Sequence, residues 1–394
     1  MSNQNTNVKS IWFASSFLFL AHFVIDSAAQ FPMALIPVLR EKLGFSLTLA
    51  GFMISVQAST SAISQPLTAL VIDRWPRVPW LPIGLVGCTF CFSAIGWISS
   101  YSSLLGLMFV GGMFFAFTHP DMGARAGRLS EKGNSIAMSI FVTGGRIGFA
   151  IGPLIAISVT ENLGLKWLTL YVVVGILAAF FVMVSTPSIG KQTISPASKK
   201  INLFSILKKV KGDVVSLFII GGVRAIVVSN LAFFLTTMFV DENLGLWEGG
   251  LTSTLFFIGG AFGVILGGLS SDWYGRRLTI ILGIIVSIIA MFLFLIFPLK
   301  LCYLFVGFIG FGVFVPMGLS IILTQEKMPE NRAFASSLIL GGGWIIASLT
   351  APFVAWLGEI YGLKSAQWVL MLFLFLALFC GFSLEKDSAE KEIN

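Results

Sequence analysis

Long apolar segments constrain the fold of this 394-residue chain more than any other feature. Hydrophobic residues make up 56% of the sequence and charged residues only 11%. About 20 apolar residues cross the hydrocarbon core of a bilayer as a helix, and the chain contains twelve such runs. They cover approximately residues 11–37, 47–71, 80–98, 103–124, 135–160, 166–184, 213–239, 247–270, 278–297, 300–323, 333–357 and 363–383. This pattern predicts an all-α membrane protein with twelve transmembrane helices and excludes a soluble globular fold.

The chain also repeats itself at half its length. The spacing from Gly51 to Asp73 recurs from Gly250 to Asp272, 199 positions later. Two equivalent halves in a membrane protein are typical of secondary transporters. We therefore predict two pseudo-symmetric six-helix bundles, residues 1–184 and residues 213–394, each built from two inverted three-helix repeats. The second bundle ends in a short cytosolic tail, and a cytoplasmic linker, 185–212, joins the two.

The distribution of lysine and arginine predicts the orientation in the membrane. With a cytoplasmic N-terminus, 18 of the 25 basic residues lie on the cytosolic side. Five lie outside, namely Arg40, Lys42, Lys166, Lys300 and Lys364. This bias places both termini in the cytosol. It also accounts for the net charge of +7 without a nucleic-acid partner. The first ten residues are polar, and the first apolar run is too long for a signal peptide, so we expect no cleavable leader.

A charged loop follows the second run of each repeat. The second copy consists of Gly268, Asp272, Gly275, Arg276 and Arg277, and the first copy keeps Asp73, Arg74 and Arg77. This loop resembles the signature loop of the major facilitator superfamily. A small residue lets two helices approach, and the aspartate can cap or pair with a neighbouring helix end. We expect these residues to act in gating, holding the halves closed toward the cytosol; the alternative is that they only anchor the cytosolic face.

The fifth run contains the sequence Gly148-x-x-x-Gly152-Pro153, and Pro352 lies at the equivalent position of the eleventh run. Small residues at this spacing allow close helix contact, and proline removes a backbone donor and bends a helix. We expect these four residues to shape helix packing. Proton-driven exporters of the superfamily carry a similar motif.

Two arginines lie deep within apolar runs, where a charge is costly unless it faces a cavity or a partner. Arg146 and Arg224 each lie about 11 residues into a run, or about 16 Å deep. One arginine in each half suits recognition of an anionic solute. We predict that they bind substrate together with Gln57 and His22; the alternative is that Asp26 or Asp121 neutralises them.

Proton coupling is predicted from the buried carboxylates and histidines. His22 and Asp26 are four residues apart and share one face of a helix. His119 and Asp121 lie near the cytosolic end of the fourth run, and a histidine beside a carboxylate can exchange protons near neutral pH. We name Asp26, His119 and Asp121 as proton-coupling residues. Alternatively, His119 and Asp121 form a structural pair that closes the helix end against Arg125 or Arg128.

Several further motifs resemble the fosmidomycin-resistance family of bacterial efflux proteins. They are Ala21-His22-Phe23 with Asp26, Gln57, Gln65-Pro66, the segment 75–84, Phe117 to Asp121, and Met138 to Phe141 leading into the Gly144–Pro153 run. The resemblance implies a multi-pass drug-efflux antiporter of the bacterial inner membrane that confers antibiotic resistance. Its partners would be protons, a small-molecule substrate and the lipid bilayer, and the protein would act as a monomer by alternating access.

The prediction is therefore proton-coupled efflux of a small anionic organic compound, without a cofactor or a metal. Cys88 and Cys91 have CxxC spacing but lack further metal ligands in sequence, so they are predicted to be buried apolar side chains. An importer of an organic anion is the first alternative. A membrane-embedded enzyme using His119 and Asp121 is a remote one, opposed by the short loops and the duplication. A sensor is opposed by the lack of a sizeable soluble domain.

Overall fold

The computed structural model describes residues 2–75, 78–131, 136–185, 212–328, 335 and 338–386. Helices form nearly all of this structure, and no strand occurs within these ranges. The predicted linker lies outside the described residues except at its two ends. The all-α prediction is confirmed for the part of the chain that the structure describes.

The first half of the chain forms seven α-helices within its described residues. They are α1 (Ser2–Ala34), α2 (Ile36–Leu43), α3 (Leu47–Arg74), α4 (Trp80–Ser93), α5 (Tyr101–Glu131), α6 (Ile136–Asn162) and α7 (Tyr171–Ser185). Short 3₁₀ turns at Ala94–Gly96 and Leu165–Leu170 extend α4 and lead into α7. The short helix α2 lies between α1 and α3. It ends at Gly44, which takes the left-handed conformation (φ 67°).

The second half forms eight α-helices in the described residues. They are α8 (Asp213–Val227), α9 (Leu235–Asp241), α10 (Leu246–Tyr274), α11 (Arg276–Ile296), α12 (Tyr303–Lys327), α13 (Gly343–Tyr361), α14 (Leu363–Ala366) and α15 (Trp368–Ser383). A 3₁₀ turn covers Leu299–Leu301, and π-helical segments cover Val228–Ala232 and Leu338–Gly342. The first π-helical segment joins α8 to α9, and both form one apolar stretch, Asp213–Asp241.

Eleven helical stretches in the described residues are long and apolar enough to cross a membrane. The third predicted run, residues 80–98, forms a shorter apolar helix, Trp80–Gly96. With this helix, each of the twelve predicted runs corresponds to a helical stretch.

The helices cluster into two compact units. One contains residues 1–45 and 56–192, and the other contains residues 46–55 and 193–394. The beginning of α3 therefore groups with the second unit. There, Gly51 lies so close to α13 that an added Cβ atom would be 2.6 Å from the Cα atom of Pro352.

Within the first unit, α6 packs directly against the backbone of α1. A Cβ atom at any of three α6 glycines would lie within 2.7 Å of a carbonyl oxygen of α1. The pairs are Gly144 with Phe19, Gly148 with Phe23, and Gly152 with Ser27. Helix α6 continues through Pro153, as α13 does through Pro352. This close approach brings the functional side chains of α1 against α6.

Candidate functional site

A buried carboxylate on α1 is the centre of the candidate site. Asp26 is only 4% exposed. One helical turn earlier, His22 places its Nε2 atom 3.3 Å from Oδ2 of Asp26. His22 and Asp26, which were predicted to share one face of a helix, are therefore in direct contact.

A second histidine reaches the same carboxylate from α5. The Nε2 atom of His119 lies 3.1 Å from Oδ1 of Asp26. These are the only two histidines of the chain, and they contact different oxygens of one side chain. The rings also meet edge to face, with centroids 5.1 Å apart. We call His22, Asp26 and His119 the His–Asp–His cluster.

The outer nitrogens of both rings are held by backbone carbonyls. Nδ1 of His22 lies 2.8 Å from the carbonyl oxygen of Phe141 on α6, and its ring stacks on the Phe141 ring at 4.2 Å. Nδ1 of His119 lies 3.0 Å from the carbonyl oxygen of Phe115, one turn earlier on α5. A carbonyl oxygen only accepts hydrogen bonds, so each Nδ1 carries a hydrogen. The orientation of both rings is thereby fixed.

Helix α6 packs against the cluster at Gly145, a residue without a side chain. A Cβ atom at Gly145 would lie 2.5 Å from both Oδ2 of Asp26 and Nε2 of His22. The next residue, Arg146, is half-buried and interacts electrostatically with Asp26. The electrostatic energy of Arg146 therefore depends on the charge of the cluster.

His119 and Asp121, which the sequence suggested as a proton-exchanging pair, contact different partners in the structure. Asp121 instead accepts a hydrogen bond from Nε of Arg125, at 3.0 Å, and both side chains are 7% exposed. Residues two apart on a helix face different sides, whereas residues four apart are neighbours. The alternative in which Asp121 pairs with Arg125 describes the geometry; the predicted part of Asp121 in proton coupling stays a prediction.

The predicted substrate-binding residues His22 and Gln57 differ in the hydrogen-bonding atoms that they leave available. Both nitrogens of His22 are engaged in the cluster, so its ring offers no nitrogen to a substrate in this arrangement. Gln57 donates from Nε2 to the carbonyl oxygen of Ala29 at 3.2 Å. Its buried Oε1 has no hydrogen-bond partner among the described residues. Gln57 therefore keeps an acceptor that a ligand could use.

Arg224 lies in the second unit, on α8. Its side chain is 6% exposed, and its guanidinium group lies 5.7 Å from the centre of the Phe314 ring. Ser287 and Pro316 line a small cavity beside it. Stacking on an aromatic ring lowers the cost of burying a cation.

The charged loops differ in how far the structure describes them. In the second unit, Arg276 pairs with Glu326 at 2.6 Å and Arg277 donates to the carbonyl oxygen of Phe382 at 3.0 Å. In the first copy, the Arg74 guanidinium lies 5.8 Å from the centre of the Trp75 ring. Arg77 lies outside the described residues, and Asp73 is described only as part of α3.

Gly275 and Gly268 of the second loop were both predicted to act in gating, and the structure describes a different property of each. Gly275 has φ 81°, a left-handed conformation that ends α10 and begins α11 and that favours glycine. An added Cβ atom at Gly268 would meet no other atom within 4 Å, so the described structure shows no close helix approach there. Asp272 is exposed. The gating function of the loop stays a prediction.

The three side chains of the cluster converge closely. Among the described residues, one nitrogen or oxygen atom of each lies within 4.8 Å of those of the other two. The sequence did not predict this grouping, since His119 is 93 positions from Asp26. The rarity of charges within apolar runs was the available signal, because such groups seek one another.

The comparison with known families decides the identity of the fold. The model of the Major Facilitator Superfamily matches residues 18–343 and 217–393. The chain belongs to the major facilitator superfamily. The predicted twelve-helix fold of this family is thereby confirmed, and the chain is a multi-pass membrane transporter.

Named relatives agree with this assignment. The chain is 24% identical over 371 residues to the fosmidomycin resistance protein of Escherichia coli, covering 91% of this chain and 89% of the relative. It is 23% identical over 363 residues to the multi-drug resistance efflux pump PmrA of Streptococcus pneumoniae, covering 86% and 87%. The resemblance to the fosmidomycin-resistance family is confirmed at this level.

A solved structure supports the fold independently. A bacterial homologue of the human lysosomal transporter Spinster, in an inward-facing and occupied conformation, superposes with a TM-score of 0.75. The two chains are 16% identical, and 96% of each is covered. The fold and the family are those of transporters.

Proposed function

We propose that this protein exports a small anionic organic compound across the bacterial inner membrane in exchange for protons, by alternating access. The observation that carries the proposal is the His–Asp–His cluster, a buried group of three side chains whose charge changes with protonation. The efflux and resistance names of the relatives support the outward direction.

The cluster has the properties that proton coupling requires. An ionised carboxylate in a bilayer-spanning helix is costly without a partner, and Asp26 has two imidazoles within 3.3 Å. Imidazoles gain and lose protons near neutral pH. Proton exchange can therefore occur here without leaving an isolated buried charge.

Arg146 links the cluster to the anion. It interacts electrostatically with Asp26, and a guanidinium group can bind a carboxylate or phosphonate through two hydrogen bonds. When the cluster loses protons, Asp26 becomes free to attract Arg146 and to compete with the anion. Protonation changes this competition, so proton and anion binding are coupled. Arg224 supplies the corresponding arginine of the second unit.

Import is a second candidate function, and the interaction of Arg146 with Asp26 favours it as well. If protonation of the cluster only makes Arg146 more available, protons and the anion bind together, which suits symport. Antiport requires that the released arginine stabilise the opposite conformation of the transporter. The direction of the driving gradient distinguishes the two mechanisms.

The test uses purified protein in proteoliposomes with a pH gradient of either sign. The probes are radiolabelled fosmidomycin and a panel of labelled mono- and dicarboxylates, with protein-free liposomes as the control for passive entry. Antiport predicts accumulation when the lumen is acidic, because protons leave as the anion enters. Accumulation driven by an acidic exterior would overturn export and establish symport.

A further inference from the structure

The number of protons that the cluster holds follows from which ring nitrogens face the carboxylate. Nδ1 of His22 donates to the carbonyl oxygen of Phe141 at 2.8 Å. In a neutral imidazole only one nitrogen carries a hydrogen. A neutral His22 would therefore present a bare Nε2 lone pair to Oδ2 of Asp26, 3.3 Å away.

His119 has the same arrangement from a different helix. Its Nδ1 donates to the carbonyl oxygen of Phe115 at 3.0 Å, and its Nε2 lies 3.1 Å from Oδ1 of Asp26. A neutral His119 and an ionised Asp26 would again place two lone pairs against each other. Neither contact is favourable without a proton between nitrogen and oxygen.

Each contact accepts one proton, which resides on Nε2 of the imidazole and is donated to the carboxylate oxygen. Starting from two neutral imidazoles and one carboxylate, the observed geometry is satisfied by adding two protons. The net charge of the cluster then changes from −1 to +1. One proton satisfies only one contact and leaves the other repulsive.

The two histidines are held by different helices. The His22 side chain is 11% exposed and its ring stacks on Phe141 of α6, whereas the His119 side chain is 22% exposed and its ring packs on Phe115 of its own helix. Titratable and charged groups on the helices around the cluster are Cys88 on α4, Asp121 and Arg125 on α5, Arg146 on α6 and Tyr171 on α7.

We propose that the His–Asp–His cluster carries two protons in each transport cycle, one in each imidazole–carboxylate contact. Both protons are bound from one side of the membrane and released to the other; each forms one N–H bond on binding and breaks it on release, and no bond between heavy atoms changes. This inference rests on the proposed proton coupling, and it adds the number of protons and their positions.

The first test exploits the two histidines of the chain. Nitrogen-15-labelled histidine gives one pair of ring signals for each, and the nitrogen shifts report which atoms carry hydrogen. In alkaline buffer both rings should be neutral with hydrogen on Nδ1; in mildly acidic buffer both should be imidazolium. A neutral ring with hydrogen on Nε2 alone, or a single imidazolium in acid, would overturn the proposal.

Variants separate the cluster from ordinary histidine behaviour. Asp26→Asn should remove the joint protonation, so that buffer in which both wild-type rings are imidazolium leaves neither ring charged in the variant. Glu242→Gln, which removes an exposed carboxylate of the second unit, should leave both rings as in the wild type. Identical spectra for Asp26→Asn and the wild type would contradict the shared proton sites.

The second test measures stoichiometry. In proteoliposomes with the membrane potential clamped at zero, two protons exchanged per anion balance an anion gradient of about 100-fold per pH unit, whereas one proton balances about tenfold. With radiolabelled fosmidomycin as the probe, the wild type should reverse near the first value and His119→Gln near the second or lose coupling. A wild-type reversal near tenfold would overturn the two-proton count. Absence of fosmidomycin transport would count against the proposed function, and the histidine spectra would then decide the proton count.

Discussion

The α carbon of Gly145 faces His22 at a distance that leaves no room for a side chain, since an added Cβ atom would lie 2.5 Å from the Nε2 atom. The same atom would lie 2.5 Å from Oδ2 of Asp26. Glycine at this position therefore permits the imidazole–carboxylate contact.

The substitution Gly145→Ala should separate His22 from Asp26, because one of these side chains must move away from the methyl group. Proton-driven accumulation of a transported anion should fall by at least about tenfold, the loss expected for roughly 1.4 kcal/mol of coupling. The matched control is Gly123→Ala on α5, where an added Cβ atom meets nothing within 4 Å. Equal accumulation by both variants would argue against the importance of the His22 contact.

Helix packing gives a second prediction. Gly148→Ala places a Cβ atom 2.5 Å from the carbonyl oxygen of Phe23, and a backbone oxygen cannot rotate aside as a side chain can. Overpacking of this kind costs about 1–3 kcal/mol, so the apparent melting temperature in detergent should fall. Gly106→Ala, with open space around the added carbon, should retain the wild-type melting temperature. A stable Gly148→Ala variant would mean that α1 and α6 can move apart at little cost.

The sequence predicted the parts of the site that depend on local spacing. His22 and Asp26 lie four residues apart, and the helical period alone brings them together. The glycines of the fifth run follow the same logic, since small residues at intervals of four form one flat face. The fold followed from the apolar runs and the duplication, because few other structures accommodate twelve membrane-spanning segments.

The contact of His119 with Asp26 could not be predicted in this way. It joins α5 to α1, and no periodic pattern relates residues so far apart in the chain. Sequence proximity instead favoured Asp121 as the partner of His119, although the helical period directs the two to different sides. Gly145 lies in the Gly144–Pro153 run, but the side chains that it packs against depend on how α6 lies on α1.

A third prediction concerns the charged loop of the second unit. Asp272 is exposed, and we expect it to stabilise a closed state instead of binding substrate. Asp272→Asn should therefore leave substrate binding nearly unchanged and slow transport several-fold. Binding of the labelled anion by purified protein, compared with its transport rate in proteoliposomes, checks this expectation. A parallel fall in affinity and rate would place Asp272 at the substrate instead of the gate.

Topology supplies a fourth prediction. The four native cysteines are buried, so their background reactivity toward membrane-impermeant thiol reagents should be low. A cysteine introduced between residues 190 and 200 should be protected in intact cells, whereas Asn243→Cys should react. Asn243 lies in the turn after α9, on the predicted outer side of the membrane. Labelling of the linker from outside would reverse the predicted orientation.

Asp26→Asn in proteoliposomes tests the central claim most directly. The amide cannot provide the ionised oxygens that share protons with both imidazoles, so a pH gradient should no longer drive accumulation of a transported anion. Exchange of labelled for unlabelled anion at equal pH should persist, because it needs no net proton movement. Glu242→Gln, which removes an exposed carboxylate of the second unit, is the matched comparison and should retain gradient-driven accumulation. The account predicts loss of accumulation with retained exchange in Asp26→Asn; accumulation against a gradient by this variant would show that the coupled protons are carried elsewhere.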